Sequence, residues 1–228
     1  MEDIQYRHEN KYLMGEFELL QIENRLQPMM AIDKHAKNGG YTIRSLYFDD
    51  YSNSCFYDNE DGVNHRAKWR IRIYNHNSEV IFLENKCKEN SMTYKYQQRI
   101  HAETYQQIMN HSLSPADCSD ALLRKFCIEQ QTRLLNPAII VEYDRAPYVL
   151  TAGNVRVTFD RSIRCSLDFQ DFFSSTMATV PILDLGSQML EVKWDEFLPK
   201  HLENMIEVRN MQQSTFSKYY SCRLFMNR

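Results

Sequence analysis

Charged residues recur at every second position in several segments of the chain. In KWRIRIY (68–74), Lys68, Arg70 and Arg72 alternate with Trp69, Ile71 and Ile73. The same spacing joins Glu84, Lys86 and Lys88 in IFLENKCK (81–88), and Arg7, Glu9 and Lys11 in YRHENKYL (6–13). It joins Tyr143 with Arg145, Arg156 with Thr158 and Asp160, and Glu191 with Lys193. Side chains two apart on an extended strand share a face, so each set lies on one surface. Arg offers planar, bidentate contacts to phosphate oxygens, and Lys a mobile point charge. The interspersed Glu9, Glu84, Asp160 and Glu191 are hard oxygen donors suited to a divalent cation bridging phosphates. For a single strand, a solvated outer face explains such a pattern better. Across six strands rich in Arg, a barrel with a polar interior around a ligand becomes the better account. Cations crowded inside would repel by several kcal/mol per pair at about 4 Å and intermediate dielectric. A bound polyanion is their natural occupant.

These side chains need strands to carry them. The alternation predicts eight: Ile4 to Leu13, Tyr41 to Asp49, Lys68 to Tyr74, Glu79 to Lys88, Thr93 to His101, Pro137 to Leu150, Val155 to Arg164 and Met189 to Lys193. Turns are expected at Asn59 to Asn64, Asn75 to Ser78 and Asn154, and a loop at Lys34 to Gly40. Apolar residues at helical spacing predict helices over Gly15 to Leu26, Ala102 to Met109, Asp117 to Gln131, Leu198 to Arg209 and Thr215 to Met226. Ser114-Pro115-Ala116-Asp117 supplies start signals for the third. The expected class is α+β: an eight-stranded antiparallel β-tunnel, or barrel, with flanking helices, formed by residues 1–228 as a single domain. The core then lies between the outer wall of the barrel and the helices.

Composition narrows the partners. The chain has 228 residues and a net charge of −3, so nothing suggests bulk nucleic-acid binding, and positive charge must be concentrated locally. Six scattered cysteines form no CxxC pair, which argues against a zinc site or a disulfide framework. The opening MEDIQYRHENKYL is not a signal peptide, and no apolar run approaches the ~18 residues of a membrane span. A cytoplasmic location is the expectation. The histidines form no ligand cluster, and His8 should point out of the tunnel.

The order of these motifs resembles the VTC-type polyphosphate polymerase domain of the triphosphate tunnel metalloenzyme (CYTH-like) superfamily. The resemblance runs from YRHENKYL through SLYFDD (45–50), KWRIRIY, FLENKCK, YKYQQR (94–99), IVEYDRAPY (140–148), VRVTFD (155–160) and LEVKW (190–194) to STFSKYY (214–220). It implies a tunnel open at both ends in which the γ-phosphate of ATP passes to a growing polyphosphate, with Mn²⁺ or Mg²⁺. By resemblance Arg70, Arg72, Lys86, Arg145, Arg156 and Lys218 hold phosphates. Lys11 and Arg7 from the first strand, Tyr143, Ser217 and Lys193 would assist them. Lys95 or Arg99 would supply one further cation. Glu191 is the principal metal ligand by resemblance, with Glu9 and Glu84 beside it. Such synthases often work next to a membrane channel, here on a separate chain. Triphosphatases and cyclases of the fold open with E-x-E-x-K, whereas this chain has R-x-E-x-K, with Arg7 in the first position. That favours a polymerase. A triphosphatase or polyphosphatase, and a non-enzymatic receptor for polyphosphate or inositol phosphates, are the alternatives.

Overall fold

The computed structural model describes residues 6–89, 92–208 and 211–227. Eight main strands form one antiparallel sheet: β1 (His8–Gly15), β3 (Tyr41–Asp49), β4 (Arg66–Tyr74), β5 (Ile81–Glu89), β6 (Met92–Ile100), β7 (Asn136–Leu150), β8 (Val155–Ser166) and β10 (Ser187–Trp194). Two short strands, β2 (Ala31–Ile32) and β9 (Val180–Pro181), append to β7 and β8. The order is β1-β10-β8-β7-β3-β4-β5-β6. The sheet curls until, among the described residues, its two edges meet at a narrow bridge. There the backbone N–H of Arg7 donates to Thr93 O at 3.0 Å, and that of Thr93 to Arg7 O at 3.1 Å.

Each predicted strand is present, with ends shifted by a few residues. Ile4 and Arg209, at the limits of one predicted strand and one predicted helix, lie outside the described residues. Helices α1 (Glu16–Leu26) and α3 (Ala102–Met109) follow the expected spans. Helix α4 (Ala121–Arg133) starts later than expected. Ser114 instead caps a 3₁₀ turn at Pro115–Asp117, and the Asp120 carboxylate caps α4 by accepting from the N–H groups of Leu122 and Leu123. Helices α5 (Lys200–Ile206) and α6 (Lys218–Met226) are shorter than expected. Helix α2 (Ser54–Glu60), which the sequence pattern did not suggest, forms where Asp49 and Asp50 accept the N–H groups of its first turn. At the β4–β5 hairpin Asn75 and His76 both take positive φ, in keeping with the expected turn.

The apolar faces of the strands point outward, as the alternation requires. Trp69, Ile71, Ile73, Ile81 and Leu83 are buried with Phe126 and Cys127 of α4 and Tyr105 and Ile108 of α3. On the opposite wall Val157, Phe159, Leu190 and Val192 are covered by Leu19, Ile22 and Leu26 of α1 and by Leu202 and Ile206 of α5. A third cluster corrects the expectation of a tunnel open at both ends. Tyr219 and Cys222 of α6 pack with Ile139, Val141, Ile163 and Cys165. Ile139 and Val141 belong to the same inward row of β7 as Tyr143 and Arg145, so α6 fills that part of the interior. Only the remainder stays polar.

Between Glu142 and Asp144 the β7–β8 register shifts, and β8 gains one residue near Ser162, which has positive φ. Such a bulge reverses the alternation beyond it. Asp160 and Ile163 therefore face the interior, while Arg164 turns outward to Glu142. Among the described residues no helix is long and apolar enough to cross a membrane.

Candidate active site

The polar part of the interior is a cavity of about 810 Å³. Thirteen Lys and Arg side chains line it against two carboxylates, Glu9 and Glu191. The central cations are fixed from beneath. Arg70 stands opposite Glu84 on the β4–β5 ladder, and its Nε donates to Glu84 Oε2 at 2.6 Å. Its Nη1 donates to the Tyr47 hydroxyl at 2.9 Å. Arg145 grips Asp160 with Nε at 2.6 Å and Nη2 at 2.7 Å, and Lys218 reaches the same carboxylate at 2.6 Å. Arg72 lacks so close an anion. Its Nε donates to Ser45 Oγ at 3.0 Å, and Glu84 is 3.9 Å from its Nη1. Arg156 donates through Nη2 to the Tyr41 hydroxyl at 2.7 Å and pairs with Asp33 at 2.9 Å, while its buried Nε finds no hydrogen-bond partner among the described residues.

The two lining carboxylates are shared among lysines. Glu9 meets Lys11 at 2.6 Å, Lys86 at 3.1 Å and Lys193 at 4.0 Å. Glu191 meets Lys193 at 2.7 Å and Arg145 at 3.4 Å. Burial opposes ionisation of both, but Lys11 and Lys86 around Glu9, and Lys193 and Arg145 around Glu191, outweigh it and hold both carboxyls well below the usual range. One carboxylate cannot compensate three ammonium groups. Burial of Lys11 is outweighed by Glu9, which raises its pKa, whereas burial pushes Lys86 down to about 7 despite Glu9. Lys68 pairs with no carboxylate among the described residues. It donates to Asn59 Oδ1 at 3.0 Å and lies 4.7 Å from the Tyr219 ring centre, and burial lowers it to about 8.

Most sequence-predicted residues converge here: Arg7, Glu9, Lys11, Arg70, Arg72, Lys86, Lys95, Tyr143, Arg145, Arg156, Glu191, Lys193, Ser217 and Lys218 all line the cavity. Three expectations need correction. Glu84 is fully buried, and its oxygens are taken by Arg70 and by Lys95 at 2.9 Å, so it positions cations and is not exposed to a metal. Asp160 is buried in the same way on Arg145 and Lys218. Arg99 falls outside the cavity lining and donates to the Glu79 carbonyl at 2.9 Å, which leaves Lys95 as the β6 cation. Arg7 sits at the rim on Asp195, 2.7 Å away, and on the Asn154 carbonyl. Ser217 Oγ accepts the N–H of Tyr220 and caps α6, which aims Lys218 inward. His8 stacks on Trp194 at the rim.

Arg66, Lys68, Lys88, Tyr41 and Tyr47 also line the cavity and were not among the expected site residues. The two-residue spacing had already set Lys68 and Lys88 in the rows of Arg70 and Lys86, and one further step along the first row reaches Arg66. Tyr47 becomes visible only through its partners. Burial alone would raise its hydroxyl, but Arg70 and Arg72 outweigh it and lower the pKa.

A curled eight-stranded antiparallel sheet around a cation-lined cavity defines the class of this protein by its fold and the charge of its interior. Within that class the chain belongs to the VTC domain family, which it matches over residues 6–227. No curated protein sequence matches it. Among solved structures it is similar to a putative adenylyl cyclase from Hippeastrum, described as having a dominant triphosphatase activity. That likeness has a TM-score of 0.54 at 14% identity and covers 97% of this chain and 96% of the other. A putative adenylate cyclase from Bacillus halodurans is similar at a TM-score of 0.52 and 11% identity, covering 89% of this chain and 86% of that one. At such identities the likeness concerns the fold.

Proposed function

We propose that the cavity binds the phosphates of ATP and of a polyphosphate chain, and transfers the γ-phosphate to the chain end. The observation that carries this reading is the surplus of lining cations over lining carboxylates, among them Lys86 and Lys68, whose pKa values burial lowers. Phosphoryl transfer needs little from a protein beyond positioning and charge neutralisation. Arg70, Arg72 and Arg145 hold equatorial phosphate oxygens, and Glu84 and Asp160 keep two of these guanidiniums in fixed orientation. Lys218, Lys11 and Lys86 neutralise the charge that shifts to the leaving oxygen. The terminal phosphate of the chain is itself the nucleophile, and the described cysteines are all buried.

The donor set fits a divalent cation in one way. Among the described residues no three carboxylate, His or Cys side chains converge. Glu9 and Glu191 are ionised hard donors bridged by Lys193, and phosphate oxygens would complete the shell, as is usual for Mg²⁺ and Mn²⁺. Such an ion supplies Lewis-acid neutralisation of the phosphates. With Arg7 in the first position of the opening motif, no second acidic cluster stands among the described residues to activate water, which favours a phosphate acceptor over hydrolysis. The test is incubation with ATP and Mn²⁺. Long polyphosphate ladders on a gel are expected, and release of orthophosphate alone would replace this reading with a triphosphatase.

A further inference from the structure

Helix α6 brings Lys218 to the cavity, and contacts outside the cavity decide how the helix sits. Its entry is pinned to β1, where the Ser214 N–H donates to Lys11 O at 2.7 Å. Its apolar residues pack on β7 and β8. Apolar burial is non-directional, so it sets the depth of a helix better than its rotation. The directional contact is at Tyr219, whose hydroxyl donates to Asp49 Oδ2 at the end of β3. Asp49 is almost fully buried, and its carboxylate is held without help from α6. Its Oδ1 accepts the N–H groups of Asp50 at 3.0 Å and Cys55 at 2.9 Å, and its Oδ2 accepts that of Phe56 at 3.2 Å. Arg223, one helical turn beyond Tyr219, completes the group. Its Nη1 donates to the Tyr219 hydroxyl at 3.3 Å and lies 3.6 Å from Asp49, and its Nη2 donates to Asn53 Oδ1 at 2.6 Å. Burial, and then the Asp49 charge, raise the pKa of the Tyr219 hydroxyl, so it remains a donor.

Successive residues of an α-helix are rotated by about 100°, so holding the Tyr219 side chain also sets the direction of Lys218. Lys218 depends on that direction. Its ammonium group reaches Asp160 at 2.6 Å, beside Arg145, and stands 4.6 Å from the Tyr143 ring centre. Asp49 does not line the cavity. We propose that Asp49 is a positioning residue for the phosphate site: through the Tyr219 hydroxyl it sets the rotation of α6 and so places the Lys218 ammonium group. The inference rests on the reading of the cavity as a phosphate site.

The experiment is a double-mutant cycle. Tripolyphosphate affinity is measured by calorimetry at fixed salt, at a temperature where every variant is folded, in wild type, Tyr219→Phe, Lys218→Met and the double variant. Tyr219→Phe keeps the ring and removes the bond to Asp49. It should weaken binding about fivefold while Lys218 is present, the worth of one hydrogen bond. In the Lys218→Met background the same change should cost less than about twofold, because coupled residues are not additive. Equal losses in both backgrounds would mean that Tyr219 acts independently of Lys218, and overturn the positioning role. Unchanged affinity in both, with only a lower Tm, would reduce the bond to a structural one and overturn it as well. Wild-type protein that does not bind tripolyphosphate overturns the reading of the cavity itself. If the double variant does not fold, Tyr219→Phe and Arg223→Gln carry the test, and wild-type affinity in both decides against Asp49.

Discussion

Two regions of buried charge lie on opposite sides of one sheet and contrast with each other. Inside the tunnel, cations far outnumber the carboxylates available to them. Outside it, under the segment that follows β8, the charges balance. Arg44 is almost fully buried, pairs with Glu142 through Nε, and donates through Nη1 to the carbonyls of Phe172 at 2.8 Å and Ser174 at 2.7 Å. Arg164 meets Glu142 at 2.7 Å and Asp144 at 3.1 Å, and His76 closes the group at 3.0 Å from Glu142. A buried network whose members satisfy one another holds structure together; one left with surplus charge is made for something that binds.

The comparison is sharpest where each side is broken. Arg44→Met strips Glu142 of its main partner and removes a guanidinium donor from the carbonyls of Phe172, Ser174 and, at 3.4 Å, Asp171. A loss of about 3–5 kcal/mol is expected, or roughly 10 °C in Tm, with polyanion affinity of the folded protein unchanged. Thermal melts at neutral pH that match wild type would show the outer network to be dispensable. Arg72→Gln should behave in the opposite way. Its side chain has no close carboxylate, so stability changes little while tripolyphosphate binding weakens by about 1.5–3 kcal/mol, the range of a charged hydrogen bond. Titration calorimetry giving wild-type affinity would remove Arg72 from the site.

Glu191→Gln separates two roles of one residue. With the metal chelated, tripolyphosphate should bind several-fold more tightly, because one lining anion is gone. The enhancement of turnover by Mn²⁺ should disappear. Weaker binding without metal would mean that Glu191 serves only to position Lys193 and Arg145.

The smallest effect is in pH. Lys86 and Lys68 titrate lower folded, at about 7 and 8, than their ordinary value of 10.5. Between these values the folded chain binds fewer protons than the unfolded one, so their contribution to stability rises with pH. A polyanion needs them protonated, so its affinity should fall as pH climbs from 7 to 9. The outer network runs the other way. Burial opposes ionisation of Glu142, but Arg44 and Arg164 outweigh it and lower its pKa, so its contribution is present at neutral pH and lost as pH drops below about 4.5. Melting curves across pH with and without tripolyphosphate check both signs; a ligand-induced Tm gain that is flat from pH 7 to 9 would contradict the first.

The fold was legible because period-two alternation is local and survives in the sequence: Lys68-Trp69-Arg70-Ile71-Arg72 can satisfy both its faces only as a strand with one polar and one apolar side. The spacing also marked which residues share a row, and all but Glu84, Asp160 and Arg99 among the expected set reach the cavity lining. What it could not mark was depth. Glu84 and Glu191 have the same spacing from a lysine in the sequence, yet one is fully buried beneath the wall and the other lines the cavity. Nor could alternation foresee the bulge near Ser162, which takes Arg164 out of the row of Arg156 and gives it to Glu142.

By itself, then, the sequence determined which side chains lie on the same face of each strand, since that depends only on the backbone period. The tertiary structure decided which face is inside, which carboxylates are consumed by neighbours, and where α6 ends the polar space. Those outcomes depend on pairings between residues far apart in the chain, such as Arg145 with Asp160 and Arg44 with Glu142, and on burial, which sets whether a charge is compensated or left for a ligand.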